Sequence, residues 1–453
     1  MGKGSVSTEN LFELDKKYVW HPFTQMKQRE DTLVISSAEG CYLIDPEGRR
    51  YLDGVSSLWV NVHGHCNTHI NRRIEEQLNK VAHTTLLGLA NGPSALLAKE
   101  LVEIAPDGLE KVFYSDNGST TVEIALKIAF QYWKHVDPES GRHRFIHLEY
   151  SYHGDTLGAV SVGGIDLFHE IYGPLLHDNY SIEAPYCYRC TKGLTPDRCG
   201  FECLDSLDIL LSSRADSVAA LIMEPVVQGA AGMIVQPAGY VSEVARRCRE
   251  AGVLVIFDEV ATGFGRTGAM FASELEGVSP DILCLAKGLT GGYLPLAATL
   301  VTRGIFDAFL GEYSEQKTLF HGHTYTGNQL ACAAGLANLE LFRQEKTIRA
   351  MQPKIEILTK RLTDLRDLAH VGEIRQKGFM VGIELVKNRS TKEPYTWQEA
   401  VGSKVCMAAR KEGVIIRPLG DVVVLMPPLV IKEDDLEMLV DVVKGCIAEV
   451  TGQ

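Results

Sequence analysis

Short runs of β-branched and aliphatic residues recur through the middle of the chain, at 111–114, 144–148, 219–223, 253–257 and 282–285. Each closes on glycine or polar residues, and a stretch with apolar positions three or four apart then follows, the signature of a strand leading into an amphipathic helix. A further strand is expected at 296–301, after the glycine-rich turn at 289–295. Strands alternating with helices predict an open, mostly parallel α/β sheet. After about Gly335 the pattern changes to a long charged amphipathic region and then to short apolar segments near 382–385 and 422–426. These predict a smaller C-terminal domain that the N-terminal segment joins, so the expected division is 1–65, 66–335 and 336–453, with 66–335 as the large α/β domain.

Composition adds limits. A chain of 453 residues, 45% hydrophobic and 23% charged, can bury a large core and divide into more than one domain. A net charge of −13 argues against general affinity for nucleic acid or anionic membrane, while leaving room for a local basic pocket. No apolar run reaches membrane-spanning length and the first residues lack a signal peptide's apolar core, so a cytoplasmic protein with small-molecule partners is expected. The eleven cysteines then read as reduced thiols, with Cys284 and Cys332 inside apolar runs. Cys187, Cys190, Cys199 and Cys203 stand apart in a polar, Pro- and Gly-containing segment. They read as a loop insert of free thiols, with a structural zinc as the alternative.

Two strand ends carry the candidate chemistry. The run at 253–257 is followed by Asp258 and the run at 282–285 by Ala286 and Lys287. A lysine and an aspartate from neighbouring strand ends suit pyridoxal phosphate, which needs an amine for its aldehyde and an anion for its protonated ring nitrogen. A third strand end, Tyr114-Ser-Asp-Asn-Gly118-Ser119-Thr120, leads into a helix marked by Val122, Ala125, Leu126 and Ala129, whose first amides and dipole would receive a phosphate. Taken alone this is an ordinary helix cap; its company with Asp258 and Lys287 makes it a phosphate site. Gly263-Phe-Gly265-Arg-Thr-Gly268 fits a dinucleotide fingerprint but starts too far past its strand and lacks the acidic partner about twenty residues on. His63, His65, His321 and His323 have no carboxylate cluster beside them and read as turn residues, so no metal is expected.

Asp258-Glu-Val-Ala-Thr-Gly-Phe-Gly-Arg-Thr-Gly and Pro280-Asp-Ile-Leu-Cys-Leu-Ala-Lys287-Gly resemble the signature of the class III, fold-type I pyridoxal phosphate aminotransferases. The segments Trp20-His-Pro-Phe-Thr-Gln-Met, Asp53-Gly-Val-Ser-Ser-Leu-Trp59, Tyr152-His-Gly-Asp-Thr, Glu224-Pro-Val-Val-Gln-Gly, His321-Gly-His-Thr324-Tyr-Thr-Gly-Asn and Arg417-Pro-Leu-Gly narrow the resemblance. They are similar to the branch of that family that aminates 8-amino-7-oxononanoate in biotin biosynthesis. The resemblance runs from about Trp20 to the C-terminus and implies a seven-stranded, mostly parallel sheet with helices on both faces and a smaller α+β domain.

Residue by residue, the resemblance implies that Lys287 bonds the cofactor and later shuttles a proton, that Asp258 pairs with the ring nitrogen, and that Tyr152 stacks on the ring and lines the substrate pocket. Gly118 and Ser119 would hold the phosphate from one subunit and His323 and Thr324 from the other, which implies a homodimer. Arg417 would pair with the acceptor's carboxylate in the fork geometry of a guanidinium. Phe23, Leu58, Trp59 and Gly322 would line the same pocket; Arg266, a charge in a glycine-rich turn, is a weaker candidate. The branch's usual donor is S-adenosylmethionine. Phe23 and Leu58 stand where that pattern has a tyrosine and a tryptophan, so L-lysine is the alternative donor. Another class III enzyme, such as an ω-amino acid transaminase, would share Lys287 and Asp258 without needing the segments at 20–26 and 417–420 together. A non-catalytic binding protein on this fold is opposed by the intact Lys287.

Overall fold

The computed structural model describes residues 8–28 and 32–453. The reading of the extreme N-terminus therefore lies outside the described residues.

A seven-stranded sheet organises the chain. Its strands are β1 (Leu109–Ser115), β2 (Arg144–Leu148), β3 (Tyr180–Ile182), β4 (Val218–Met223), β5 (Leu254–Asp258), β6 (Ile282–Leu285) and β7 (Ala297–Thr302), in the spatial order β1-β7-β6-β5-β4-β2-β3. Every pairing is parallel except those of β7, which runs antiparallel to both β6 and β1. All residues of β4 and β6 are buried. A strand covered on both faces has no polar side to alternate with, which is why these segments read as continuous apolar runs.

Two hydrophobic layers cover the sheet. Along β5, Val255 and Phe257 join one apolar cluster while Ile256 joins another; along β6, Leu283 and Leu285 divide from Ile282 and Cys284 in the same way. The period of two sends successive side chains to opposite faces. Helix α1 (Gly118–Val136) supplies Val122, Ile124 and Ala125 to one layer. Helices α2 (Tyr240–Glu250) and α3 (Gln329–Gln344) supply Tyr240, Val244, Cys332 and Leu339 to the other. Full burial of a side chain such as Phe257 is worth roughly 1.5–3 kcal/mol, so both layers contribute to holding the sheet.

Three smaller sheets accompany the large one, a two-stranded pair of Val227–Gln228 with Ile234–Val235 and two sheets of four strands. One of the four-stranded sheets is antiparallel, with Val371–Lys377, Met380–Leu385, Val422–Leu425 and Arg417–Leu419. In the other, Arg50–Asp53 pairs in parallel with Val414–Ile415, so the N-terminal segment shares a sheet with the C-terminal part. Helix α4 (Glu433–Thr451) closes the chain with Leu436, Leu439, Val440 and Val443 buried. Beyond shifts of a residue or two at the ends of β1, β4 and β7, three details differ from the sequence expectations. The fifth strand is displaced by one residue and carries Asp258 itself; β3, three residues at the sheet's edge, has no counterpart among the predicted strands; and Gly335 lies within the uninterrupted helix α3, whose buried face runs on through Ala337, Asn338 and Leu341.

Candidate active site

The central strands place the candidate residues. Asp258 ends β5 and is in register with Cys284 of β6, so Lys287, three residues beyond Cys284, emerges beside it. Lys287 has φ +43° and opens a short 3-10 turn at Lys287–Thr290. Asn338 of α3 fastens that turn, its side-chain amide donating to the carbonyls of Gly288 at 2.9 Å and Leu289 at 3.2 Å. Gly288 is required by close packing, since a Cβ there would lie 2.8 Å from Phe264 Cβ. Enclosure pushes the Lys287 amine below its ordinary range; Asp258 and Glu224 pull it back up, and Arg266 adds to the lowering. Its Nζ lies 4.9 Å from the centroid of the Trp59 ring.

Asp258 is buried, and its Oδ1 accepts the Val260 N–H at 3.0 Å. Its Oδ2 lies 2.7 Å from His153 Nδ1, whose other ring nitrogen is buried without a protein partner. Glu224 follows β4 as Asp258 closes β5. It accepts the N–H groups of Tyr152 at 3.1 Å and Gly229 at 2.8 Å. Burial, with Asp258 beside it, pushes its carboxyl up to about 7 against the opposing effect of His153. The Tyr152 hydroxyl donates to Asp155 Oδ2 at 2.8 Å, and burial together with Asp155 raises the phenol.

The start of α1 completes the site. The Asn117 side chain accepts the Thr120 N–H at 3.0 Å and the Thr120 hydroxyl accepts the Asn117 N–H at 3.2 Å, a capping box that fixes the first turn. Ser119 Oγ accepts the Asp155 N–H at 3.0 Å, which draws the loop after Tyr152 onto the helix end. Gly154 allows that approach, with φ +118° and Ser119 Oγ 2.0 Å from where a Cβ would stand. A Cβ on Gly118 would meet Val260 Cγ1 at 2.8 Å. Gly118, Ser119, Tyr152, Asp258, Lys287 and Trp59 face one cavity of about 230 Å³. A buried amine, a buried carboxylate, a flat aromatic and a helix N-terminus thus face one small space, the donor set that pyridoxal phosphate requires.

Other candidates lie elsewhere in this chain. Leu58 is exposed and does not line the cavity. Phe23 packs edge-on against Phe168 at 5.3 Å, and Phe168 against Tyr152 at 6.2 Å. Phe23 also lines a wide groove with Tyr395, Trp397 and Pro418, the residue after Arg417. Gly322, His323 and Thr324 precede α3 and are not part of the cavity wall; the Thr324 carbonyl is 2.7 Å from His83 Nε2. Arg266 is fully buried and donates to Ser56 Oγ, Asn61 O and Pro427 O, joining three segments.

The Gly263–Gly268 stretch leads into a 3-10 turn, Ala272–Glu276, rather than a dinucleotide-binding helix. Cys187, Cys190, Cys199 and Cys203 are free thiols that share one small cavity. Among the described residues, no group of three or more His, Cys, Asp or Glu is placed to hold a metal ion, and no helix is long and apolar enough to cross a membrane. Sequence reasoning assigned no role to Glu224 or His153. Glu224 had the signal that marked Asp258, an acid directly after a buried apolar strand; His153 had none beyond its place after Tyr152.

The family model for class III aminotransferases matches residues 24–447, and the chain belongs to that family, whose members depend on pyridoxal phosphate. Within it, the chain is 53% identical over 448 residues to the adenosylmethionine-8-amino-7-oxononanoate aminotransferase of Geobacter sulfurreducens, covering 98% of this chain and 99% of that one. It is 55% identical over 447 residues to the enzyme of the same name from Nitratidesulfovibrio vulgaris, covering 98% and 82%. The crystal structure of the enzyme of that name from Methanocaldococcus jannaschii superimposes with a TM-score of 0.92 at 48% identity, covering 97% and 99%. An (S)-enantioselective ω-transaminase from Thermomicrobium roseum shares the fold with a TM-score of 0.93 at 34% identity, covering 98% and 99%.

Proposed function

We propose that this chain transfers an amino group from S-adenosylmethionine to 8-amino-7-oxononanoate, giving 7,8-diaminononanoate for biotin biosynthesis, as a pyridoxal-phosphate-dependent homodimer. The observation that carries the reading is the meeting of Lys287 and Asp258, from adjacent strand ends, with the N-terminus of α1 at one cavity. The full-length similarity to enzymes named for this acceptor and donor supports the choice of substrates. Bound there, pyridoxal phosphate supplies an electron sink for the carbon that carries the amino group.

Each residue has a task in this reading. Enclosure keeps more of the Lys287 amine neutral near pH 7, as a nucleophile toward the cofactor's aldehyde and a base toward the substrate's Cα proton must be. Asp258, steadied by His153, holds the ring-nitrogen proton. The first amides of α1 at Gly118 and Ser119 take the phosphate, and Tyr152 covers the ring. Gly322, His323 and Thr324 stand away from their own chain's cavity, which leaves them free for the partner's site, the place the family resemblance implies for His323 and Thr324 at the phosphate, with Gly322 beside them at the substrate. Arg417 takes the acceptor's carboxylate, with Trp59 as a wall of the cavity and Leu58 and Phe23, which stand outside it, at the approach to the pocket. The eleven free cysteines suit a reducing compartment, so a cytoplasmic location belongs to the same proposal.

One observation favours a second donor. Phe23 offers no hydroxyl and packs against Phe168, and Leu58 offers no flat surface to an adenosyl group, so L-lysine is the alternative. The test is the visible absorbance of the cofactor-loaded protein, with each donor added separately and no acceptor present. S-adenosylmethionine is expected to bleach the band of the lysine-bound cofactor. Bleaching by lysine alone changes the donor; bleaching by neither, while another amine succeeds, removes the oxononanoate reading and leaves the family.

A further inference from the structure

Trp59 reaches the cavity wall on a contorted loop. Between strand Arg50–Asp53 and Val60, three non-glycine residues have left-handed φ: Ser56 at +52°, Ser57 at +61° and Trp59 at +63°. Ser57 combines its φ with ψ −85°, close to the rare, strained γ-turn of positive φ. A side chain is held there only where its surroundings over-determine the backbone.

Asp53 is central to those surroundings. Its residue is fully buried, and both carboxylate oxygens accept the Ser57 N–H at 2.8 Å. Oδ2 also meets His65 Nε2 at 2.9 Å, and Oδ1 lies 3.4 Å from the Val55 nitrogen. On either side the chain is tied to the C-terminal part: Gly54 N–H donates to Ile415 O at 2.9 Å, and the Ser56 hydroxyl to Met426 O at 2.7 Å. Two residues beyond Ser57, the Trp59 ring lies against Lys287 Nζ, 95% of the residue is buried, and its indole N–H has no protein partner.

We propose that Asp53 is a positioning residue of the active site: its carboxylate, braced by His65, holds Ser57 in the strained form that keeps Trp59 against Lys287 and fixes one wall of the substrate pocket. The kinetic part rests on the aminotransferase reading given above. The conformational part does not, so the test carries both.

The protein labelled with 5-fluorotryptophan has four reporters, Trp20, Trp59, Trp133 and Trp397, and Trp59→Phe identifies the resonance that matters. Asp53→Asn is expected to shift and broaden the Trp59 line while leaving the other three in place. It should also raise KM for the oxo acid by about tenfold, with kcat within about twofold, because a displaced wall weakens acceptor placement. Adding Ser57→Gly, which relieves the strain without the carboxylate, should return both the resonance and KM most of the way to the parent. An unmoved Trp59 line, an unchanged KM, or failure of Ser57→Gly to restore them overturns the proposal. If the parent does not aminate the oxo acid, the functional reading fails and the resonances alone decide. Should Asp53→Asn not fold, Ser57→Gly is compared with Ser57→Ala. Both remove the hydroxyl but only alanine keeps the strained Cβ, so the glycine variant should melt higher. At a backbone position that alanine can adopt freely the order is reversed, and that result overturns the strain on which the proposal stands.

Discussion

Lys287 sits between opposing influences, since enclosure and Arg266 favour its neutral amine while Asp258 and Glu224 favour its charged form. Asp258 and Lys287 were legible in the sequence because a charge next to a fully apolar run has few structural uses. Glu224 carries the same signal and shows what it costs to place an acid there. Its carboxyl is pushed from 4.5 up to about 7, chiefly by burial. A carboxyl whose folded pKa is raised takes up a proton on folding between those two values. That contribution is fully present below pH 4.5 and is lost as pH rises to about 7, a total of about 3 kcal/mol. Glutamine does not titrate, so Glu224→Gln lacks this loss. Its cost, a clash between its amide and one of the two N–H groups that Glu224 accepts, is the same at every pH. The melting temperature of cofactor-free Glu224→Gln minus that of the parent should therefore rise by a few degrees between pH 4.5 and 7.5. A difference flat across that range would show that Glu224 titrates normally.

The elements follow from the sequence to differing depths. Strands buried on both faces leave an unmistakable apolar run, so β2, β4, β5 and β6 were readable to within a residue. Strand β3 is three residues with one buried side chain, too short for any period to register. The antiparallel direction of β7 is invisible locally, because orientation is set by the turn at 289–295 and by which edges remain unpaired. The contorted loop at 54–59 was also illegible, since its residue types carry no left-handed signature and the backbone is imposed by Asp53 from outside the turn. The β1–α1 unit, in contrast, announces itself through its cap, and its first glycine can be tested. Gly118→Ala places a Cβ 2.8 Å from Val260 Cγ1, at the end of the helix where the phosphate is proposed to bind. Cofactor affinity should fall by roughly tenfold, about 1.4 kcal/mol, with a small change in melting temperature. Combining it with Val260→Ala should recover much of the affinity. Equal affinity in Gly118→Ala and parent, by titration of the cofactor-free protein, would take the phosphate away from α1.

For the whole molecule, the arrangement of segments matters more than any one of them. The N-terminal strand Arg50–Asp53 lies in a sheet with Val414–Ile415, and Arg266 ties the large sheet's own loop to Ser56 and Pro427, so the cavity is walled by parts distant in sequence. We propose that the described N-terminal part, to about residue 65, and the part that follows α3 form one smaller domain against the large sheet's domain, the expected boundary at Gly335 moving to the end of that helix. Gly322, His323 and Thr324 stand off that cavity, and their proposed service to a partner's site makes a prediction that no single variant can test. Lys287→Ala removes the amine that belongs to its own chain's site. Thr324→Glu places a negative charge where the partner's phosphate is proposed to bind, on an exposed residue whose replacement leaves the core untouched. Each variant alone should be inactive. If subunits exchange at random in an equal mixture, half the dimers are mixed, and in each of these one site carries both defects while the other carries neither. The mixture should then regain about a quarter of the parent's activity per subunit, after unfolding and refolding together or co-expression with two tags. A mixture that stays inactive although mixed dimers are recovered through both tags would mean that Thr324 acts in its own chain's site. A mixture in which no mixed species can be isolated would remove the shared dimer.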